Sequence, residues 1–175
     1  MEIESELANR FPAAASAEPD WDAVYATELP RVYNFFRYRC GNEALAEDLT
    51  SRTFEKAWRA RHRYRRDLAG FGTWLLTIAR NVAIDQLRSE RPYSRLEDAP
   101  ELADRATPED ESALVSDLER LVSLVERLPQ RDREILAFKY GAEATNRTIA
   151  ELTGLSESNV GTILHRAVQT LRELW

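Results

Sequence analysis

Apolar residues recur at intervals of three and four along most of this 175-residue chain, and this spacing predicts α-helices. The first helix is predicted to begin near Trp21 and to end at Cys40-Gly41-Asn42, where Gly and Asn suit a left-handed cap. A second helix runs from about Glu43 to Arg61. A third is predicted to start at Thr73 as N-cap and to end before Pro92. Nothing alternates with a period of two, so no strands are expected.

The C-terminal part of the chain returns to the helical pattern, with an apolar stripe that ends before Pro129. Thr148 and Glu151 predict a capping box at the start of a short helix. Gly154 predicts a turn, and Ser156 the N-cap of a longer helix. This layout is that of a helix-turn-helix, whose second helix enters a DNA major groove. An ordinary antiparallel pair of bundle helices is the alternative interpretation.

The two helical parts are separated by a segment of different composition. Residues 92–117 contain three prolines and carry a net charge of −6, which predicts an extended linker that repels itself. Residues 1–20 mix acids with Ala, Ser and Pro and are predicted to be a disordered acidic tail. We therefore expect an all-α protein of two small helical domains, residues 21–91 and 118–175, joined by an acidic flexible linker.

Charge is distributed unevenly in this acidic chain, whose overall net charge is −6. Residues 59–91 hold eight arginines against three acids, a local charge of +5. Four of the arginines crowd an irregular turn from Arg61 to Gly70, where they interleave with His62 and Tyr64. Arginines beside aromatic rings suit the binding of unpaired nucleic-acid bases, which stack on such rings. A solvated charged surface is the alternative interpretation of this block.

Other kinds of chemistry find little support in the sequence. Cys40 is the single cysteine, and the two histidines, His62 and His165, are far apart, so neither a disulfide nor a metal site is expected. No catalytic motif and no phosphate-binding loop is present, so we expect no enzyme activity and no cofactor. No apolar run reaches the roughly 18 residues that span a bilayer. The acidic start MEIESELANR lacks signal-peptide character, and a cytoplasmic protein is expected.

Three stretches together resemble the extracytoplasmic-function (ECF) class of bacterial sigma factors. AEDLTSRTFEKAWRA (residues 46–60) is similar to the region 2 helix that docks on the polymerase clamp. FGTWLLTIARNVAIDQLR (residues 71–88) is similar to the helix that melts and reads the −10 promoter element. LVERLPQRDREILAFKY (residues 124–140), followed by TIAELTGLSESNVGTILHRAVQTLR, resembles region 4, which binds the −35 element.

The resemblance implies a function, partners and site residues. The function would be to bind core RNA polymerase, through its clamp and flap, to recognise the −10 and −35 elements of promoter DNA and to promote melting. An anti-sigma factor is the expected regulator. The residues implied at the clamp are Asp48, Leu49, Phe54 and Trp58. Those implied at −10 DNA are Arg61, His62, Arg63, Tyr64, Arg66, Phe71, Trp74, Arg80, Asn81, Asp85 and Arg88. Those implied at −35 DNA are Arg147, Thr148, Ser156, Ser158, Asn159, Thr162, His165 and Arg166.

Two other functions compete with this one. A helix-turn-helix regulator that binds duplex DNA without polymerase would account for the C-terminal segment but would leave residues 46–91 unexplained. An adaptor that no longer reads promoters is suggested by the recognition helix, because the stretch from Asn159 to Ile163 has no lysine or arginine. Gly161 within that stretch should also cost the helix about 1 kcal/mol relative to alanine.

Overall fold

The fold, seen in a computed structural model that describes residues 20–90 and 112–175, consists of α-helices joined by short turns. In the N-terminal half (residues 20–90) the helices are α1 Trp21–Cys40, α2 Glu43–Ala60 and α3 Phe71–Glu90, with a 3-10 turn at Arg61–Arg63. In the C-terminal half (residues 112–175) they are α4 Ser112–Glu126, α5 Gln130–Leu136, α6 Asn146–Thr153 and α7 Glu157–Leu174, and a π turn at Ala137–Gly141 extends α5. No strand occurs in these residues, which confirms the all-α prediction.

Helix α1 has the boundaries that the sequence predicts. Asp20 caps its N-terminus, with its carboxylate accepting from the main-chain N–H groups of Asp22 and Ala23. Gly41 ends it in the left-handed conformation at φ 68°, which glycine adopts without a Cβ clash. Pro30 lies inside the helix and does not end it.

Two predicted N-caps are wrong by about one turn of helix. Helix α3 begins at Phe71, before the predicted cap Thr73, and the N–H of Trp74 already donates to Gly70 O at 3.1 Å. The sequence offers no polar side chain just before Phe71, so the nearest threonine was chosen instead.

The capping box predicted at Thr148 and Glu151 is also absent. Thr145 caps α6, and its Oγ1 accepts from the N–H of Thr148 at 3.1 Å. Glu151 instead forms an exposed ion pair with Arg147 at 3.4 Å, one helical turn away. Threonine is a favourable N-cap at either position, but only Thr148 has the glutamate three residues later that completes a capping box, so the sequence pattern favoured the wrong threonine.

The predicted linker is shorter than expected at its C-terminal end. Helix α4 begins at Ser112, so the last six residues of the 92–117 segment belong to a helix. Leu114 continues the spacing of Leu118 and Leu121 by one turn, a periodicity that the nearby acids and prolines obscure. The rest of that prediction, and the disordered tail predicted for residues 1–20 except Asp20, fall on residues 1–19 and 91–111, outside the described residues.

The two halves are packed against each other and share one hydrophobic core. The ring of Phe35 on α1 stacks on the ring of Phe138 in the π turn, with centroids 4.5 Å apart, and both side chains are fully buried. Gly141 lies against the α1 backbone, where an added Cβ would come within 2.7 Å of Asn34 O. Arg31 Nε also donates across the boundary to Ala142 O at 2.9 Å. These contacts fix the position of the helix-turn-helix relative to α1–α3.

Candidate nucleic-acid interface

The turn between α2 and α3, together with the start of α3, contains an aromatic cluster and several exposed basic side chains. Tyr64, Phe71 and Trp74 form the cluster, with each pair of ring centroids 5.2 Å apart and all three rings half-buried. The two contacts of Phe71 are edge-to-face and the Tyr64–Trp74 contact is tilted, and such contacts favour fixed ring orientations. The surrounding basic residues that are predicted to contact −10 DNA are exposed: His62, Arg63 and Arg66.

Internal contacts stabilise the shape of this turn. The guanidinium of Arg61 lies over the Trp58 ring, 4.3 Å from its centroid, and its Nη1 donates to Trp58 O at 3.0 Å. Arg65 and Asp67 form a bidentate pair with a shortest distance of 2.7 Å. This hydrogen bonding raises the pKa of Arg65 and lowers that of Asp67. Arg65 is therefore occupied in shaping the turn.

Helix α3 presents one polar face beyond the turn. Asn81, Asp85 and Arg88 are exposed at steps of four and three residues, which places them on the same side of the helix. Asp85 pairs with Lys56 of α2 at 3.2 Å. Asn81 and Arg88 are therefore the residues of this face that have the most open access to a partner.

Arg80 is not open in this conformation, because it is bound by the C-terminal half. Its Nε lies 3.2 Å from Glu134 Oε1 and its Nη2 lies 3.5 Å from Glu134 Oε2. Glu134 is 8% exposed and also faces Arg39 of α1, at 3.6 Å. Sequence reasoning missed Glu134, since its partners lie 54 and 95 positions away and no local pattern connects them.

The helix-turn-helix presents the predicted outer face of α7. Ser158, Asn159, Thr162 and His165 are exposed, while the opposite face of the helix is buried through Val160, Ile163, Leu164 and Ala167. Ser156 is the N-cap, and its Oγ accepts from the N–H of Asn159 at 3.2 Å.

Flanking residues of the helix-turn-helix differ in their availability. Arg147 is exposed at the start of α6, whereas Thr148 is half-buried and its hydroxyl shares a hydrogen bond of 2.9 Å with that of Thr145. Arg166 is exposed but its Nη2 contacts the buried carboxylate of Asp132 at 3.0 and 3.2 Å. Asp132 and Glu134, two residues apart on α5, thus bind one predicted DNA-contacting arginine each.

Three of the four predicted clamp-docking residues reach the surface of α2. Asp48 is exposed and pairs with Arg52 at 3.5 Å, and Trp58 is 49% exposed. Phe54 is half-buried and packs on the Tyr25 ring at 4.9 Å. Leu49 is fully buried in the core, so its assignment to direct contact is corrected: its own helical spacing places it on the inner face.

A groove beside these residues was missed by the sequence reasoning. It lies between α1 and α2, has a volume of about 500 Å³, and is lined by Leu29, Pro30, Tyr33, Glu47, Thr50 and Ser51. Such a groove depends on how two helices pack, which periodicity within either helix does not reveal. It extends the candidate docking surface toward α1.

Residues 20–90 and 112–175 contain no group of three or more His, Cys, Asp or Glu side chains that could hold a metal ion. In the same residues, no helix is long and apolar enough to cross a membrane.

Gly161 on α7 has room for a side chain. A Cβ there would meet only Asn146 Nδ2, at an ordinary contact distance of 3.8 Å. We expect Gly161→Ala to raise the free energy of unfolding by about 1 kcal/mol, because glycine is a poor helix former. The same change at Gly154, which has φ 74°, should lower it by about 1–2 kcal/mol, since a Cβ is strained in that conformation. Urea denaturation of both variants checks this, and a destabilised Gly161→Ala would contradict it.

Comparison with known families defines the class of protein that carries this arrangement. The family model for Sigma-70 region 2 matches residues 24–93, and that for Sigma-70 region 4 matches residues 118–171. The first match contains the basic turn and α3, and the second contains the helix-turn-helix. The chain is therefore an RNA polymerase sigma factor, a class whose members are not enzymes.

Individual relatives narrow this class. The chain is 33% identical to the ECF sigma factor BldN of Streptomyces coelicolor. The match covers 92% of this chain but only 62% of BldN. It is 32% identical to the sigma factor CarQ of Myxococcus xanthus, with 90% of each chain covered. It is 30% identical to the ECF sigma factor SigM of Bacillus subtilis, covering 88% of this chain and 94% of SigM. The chain belongs to the ECF sigma factor family.

Solved structures share the fold. The sigma factor RpoE, from a complex with the anti-sigma factor NepR of Bartonella quintana, superposes with a TM-score of 0.74 at 22% identity, covering 89% of this chain and 96% of RpoE. CnrH, from a complex with the cytosolic domain of CnrY, gives a TM-score of 0.58 at 22% identity, covering 88% of this chain and 84% of CnrH. Both likenesses extend over the N-terminal and C-terminal halves.

Proposed function

We propose that this sigma factor binds core RNA polymerase, directs it to promoters with −10 and −35 elements, and helps to open the −10 region. The observation that carries this proposal is the aromatic cluster of Tyr64, Phe71 and Trp74, which occurs together with exposed basic residues on the turn that leads into α3. Duplex binding alone does not require such a cluster, whereas unpaired bases stack on aromatic rings. The protein would act in the cytoplasm and would have no catalytic activity of its own.

At the −10 element, the basic turn and α3 would make different contacts with the DNA. Arg63 and Arg66 are placed to contact phosphates, which position the strand without reading it. The aromatic cluster would receive a base that leaves the stack, a step that costs a few kcal/mol. Asn81 and Arg88 would then supply hydrogen bonds to base edges along α3.

At the −35 element, α7 would enter the major groove. Ser158, Asn159, Thr162 and His165 form its exposed face and offer short hydrogen-bonding side chains to base edges. Arg147 at the start of α6 would contact the DNA backbone. With few basic residues on this face, the affinity for the −35 element should depend weakly on salt concentration.

The described conformation is, in this proposal, a closed form of the protein. Glu134 holds Arg80 and Asp132 holds Arg166, so acidic residues of α5 occupy two arginines that DNA phosphates would otherwise attract. The Phe35–Phe138 contact holds the halves together. Binding to polymerase and promoter would then require the halves to separate, and an anti-sigma factor would act by preventing that separation.

The role of Asn81 can be tested separately from folding and from docking. Asn81 is exposed, so Asn81→Ala should leave stability within about 0.5 kcal/mol of wild type. Promoter opening should fall about 5- to 150-fold, because a lost base contact costs about 1–3 kcal/mol. The measurement is run-off transcription with purified core polymerase, beside a core-binding assay.

Asn34→Ala is the matched control for this variant, since Asn34 is exposed on a different helix, α1. It should transcribe as wild type does. If Asn81→Ala weakened core binding as much as it reduced promoter opening, Asn81 would belong to the docking surface and its assignment to DNA would be wrong.

A different experiment distinguishes this proposal from a duplex-binding regulator that works without polymerase. The isolated protein and its complex with core polymerase are compared on a promoter fragment in a native gel. The proposal predicts a specific shift only with core polymerase present. A specific shift of equal affinity by the isolated protein would favour the regulator.

A further inference from the structure

A cavity of about 150 Å³ lies on the boundary between the two halves. Arg39, Leu45 and Leu87 of the N-terminal half line one side, and Gln130 and Arg133 of α5 line the other. This volume is roughly five times that of one water molecule in the liquid. It is also below the roughly 300 Å³ at which sites for drug-sized ligands begin. The cavity is therefore suited to a small ligand.

Two arginines from opposite halves line this cavity, and each carries a buried nitrogen without a hydrogen-bond acceptor among the described residues. Arg39 is only 6% exposed, and its buried Nη1 has no hydrogen-bond acceptor within the described residues. The Glu134 oxygen that faces this nitrogen is 3.6 Å away, beyond hydrogen-bonding distance. Arg133 Nε is likewise buried without an acceptor in the part of the chain that the structure describes, while its Nη1 lies 3.5 Å from Glu126 O.

Positive charge outweighs negative charge around Arg39. Glu134 is shared between Arg39 and the closer Arg80, and Arg133 adds a third guanidinium. Burial lowers the pKa of Arg39, Glu134 and Cys40 oppose this shift, and Arg133 and Arg80 add to it. A buried cation with incomplete pairing is costly, so an additional anion between these arginines would be stabilising.

Another carboxylate lies nearby but does not remove this excess. The side chain of Glu126 lies over Gly41, where an added Cβ would clash with its Oε1. Arg37 donates to the carbonyl oxygen of the same Gly41 and brings a further positive charge. This region therefore contains four arginines and two carboxylates: Arg37, Arg39, Arg80 and Arg133 against Glu126 and Glu134.

We propose that this cavity binds a small phosphate-type oxyanion between Arg39 and Arg133. The planar guanidinium group offers paired donors that match two oxygens of a phosphate, and such charge-assisted bonds are among the strongest in proteins. Because the two arginines belong to opposite halves, the bound anion would hold the closed form together. This regulatory consequence rests on the proposed function, whereas the binding itself does not.

Isothermal titration of the full chain with inorganic phosphate tests the site. Sodium chloride at matched ionic strength gives the background, and succinate is the carboxylate probe. We expect saturable binding of one phosphate per chain, above the chloride background and tighter than succinate. Arg133→Gln should weaken it about tenfold or more, since a charge-assisted hydrogen bond is lost. Arg131→Gln removes the same charge from an exposed position on α5 and should bind as wild type does.

A further variant separates the charge of Arg133 from its planar pair of donors. Arg133→Lys retains the charge without the planar donor pair and should show an intermediate affinity. If titration with phosphate gave no saturable heat of binding, or if Arg131→Gln weakened phosphate binding as much as Arg133→Gln does, the proposed site would be wrong. If succinate bound more tightly than phosphate, the proposed class of ligand would be wrong. The titration contains neither polymerase nor promoter, so its failure leaves the proposed function standing. Failure of transcription would likewise leave the site intact.

Discussion

Phe138→Ala should destabilise the whole protein, lowering the free energy of unfolding by about 3–5 kcal/mol. The Phe138 side chain is fully buried and stacks on Phe35 of the other half, so its removal leaves a cavity where the two halves meet. Because the halves share one core, we expect unfolding to stay a single transition in the wild type and its midpoint to fall for both halves in the variant. Urea denaturation followed by tryptophan fluorescence and by circular dichroism measures this.

Tyr140→Ala is the control for this loss. Tyr140 lies two residues further along the same π turn but is 53% exposed, and its truncation should cost no more than about 1 kcal/mol. Equal costs for the two variants would show that the aromatic at position 138 has no special role. Two separate unfolding transitions in the wild type would contradict a shared core.

Glu134→Gln should be the most damaging change among the ion pairs. It leaves the buried guanidinium of Arg39 without its carboxylate and removes the partner of Arg80. Breaking a buried pair costs about 3–5 kcal/mol, and the partial exposure of Arg80 reduces our expectation to about 2–4 kcal/mol. The measurement is the free energy of unfolding in urea, repeated at low and high salt.

The matched control makes the same substitution in an exposed pair. Glu151→Gln removes the partner of Arg147 on the surface of α6 and should change stability by less than about 0.5 kcal/mol. A Glu134→Gln variant as stable as Glu151→Gln would mean that the Glu134 contacts do not hold the two halves together.

Local features of the fold were predictable from the sequence because their causes are local. Apolar spacing of three and four residues places Val160, Ile163 and Leu164 on the buried face of α7, and the structure has them there. Gly41 and Gly154 end helices in the left-handed conformation, as glycine after a helix indicates. The predicted cap positions were wrong where a threonine near the helix start was favoured over the residue that begins the helix.

Long-range features were not predictable, since they depend on how helices pack. The sequence predicted a flexible linker between two domains, but it contained no sign that Phe35 and Phe138 would stack. It identified Arg80 as a candidate for DNA contact without indicating that Glu134 would bind it. Leu49 was assigned to a partner although its position in an apolar stripe already favoured the core.

The candidate −10 surface lies between these two cases. The arginine-rich composition and the aromatics were visible in the sequence, and their assignment to one DNA-binding surface stays a prediction. The three-ring arrangement of Tyr64, Phe71 and Trp74 depends on a 3-10 turn and on the early start of α3, neither of which was predicted. The structure therefore makes the proposed base-stacking surface specific enough to test by mutation.

The central claim is tested most directly by sequencing the 5′ ends of transcripts made in vitro from genomic DNA by core polymerase, with and without this protein. We expect a defined set of start sites that appears only with the protein, preceded by shared motifs at the −10 and −35 spacings. No start site dependent on the protein, in a reaction where it demonstrably binds core polymerase, would contradict promoter recognition and favour an adaptor.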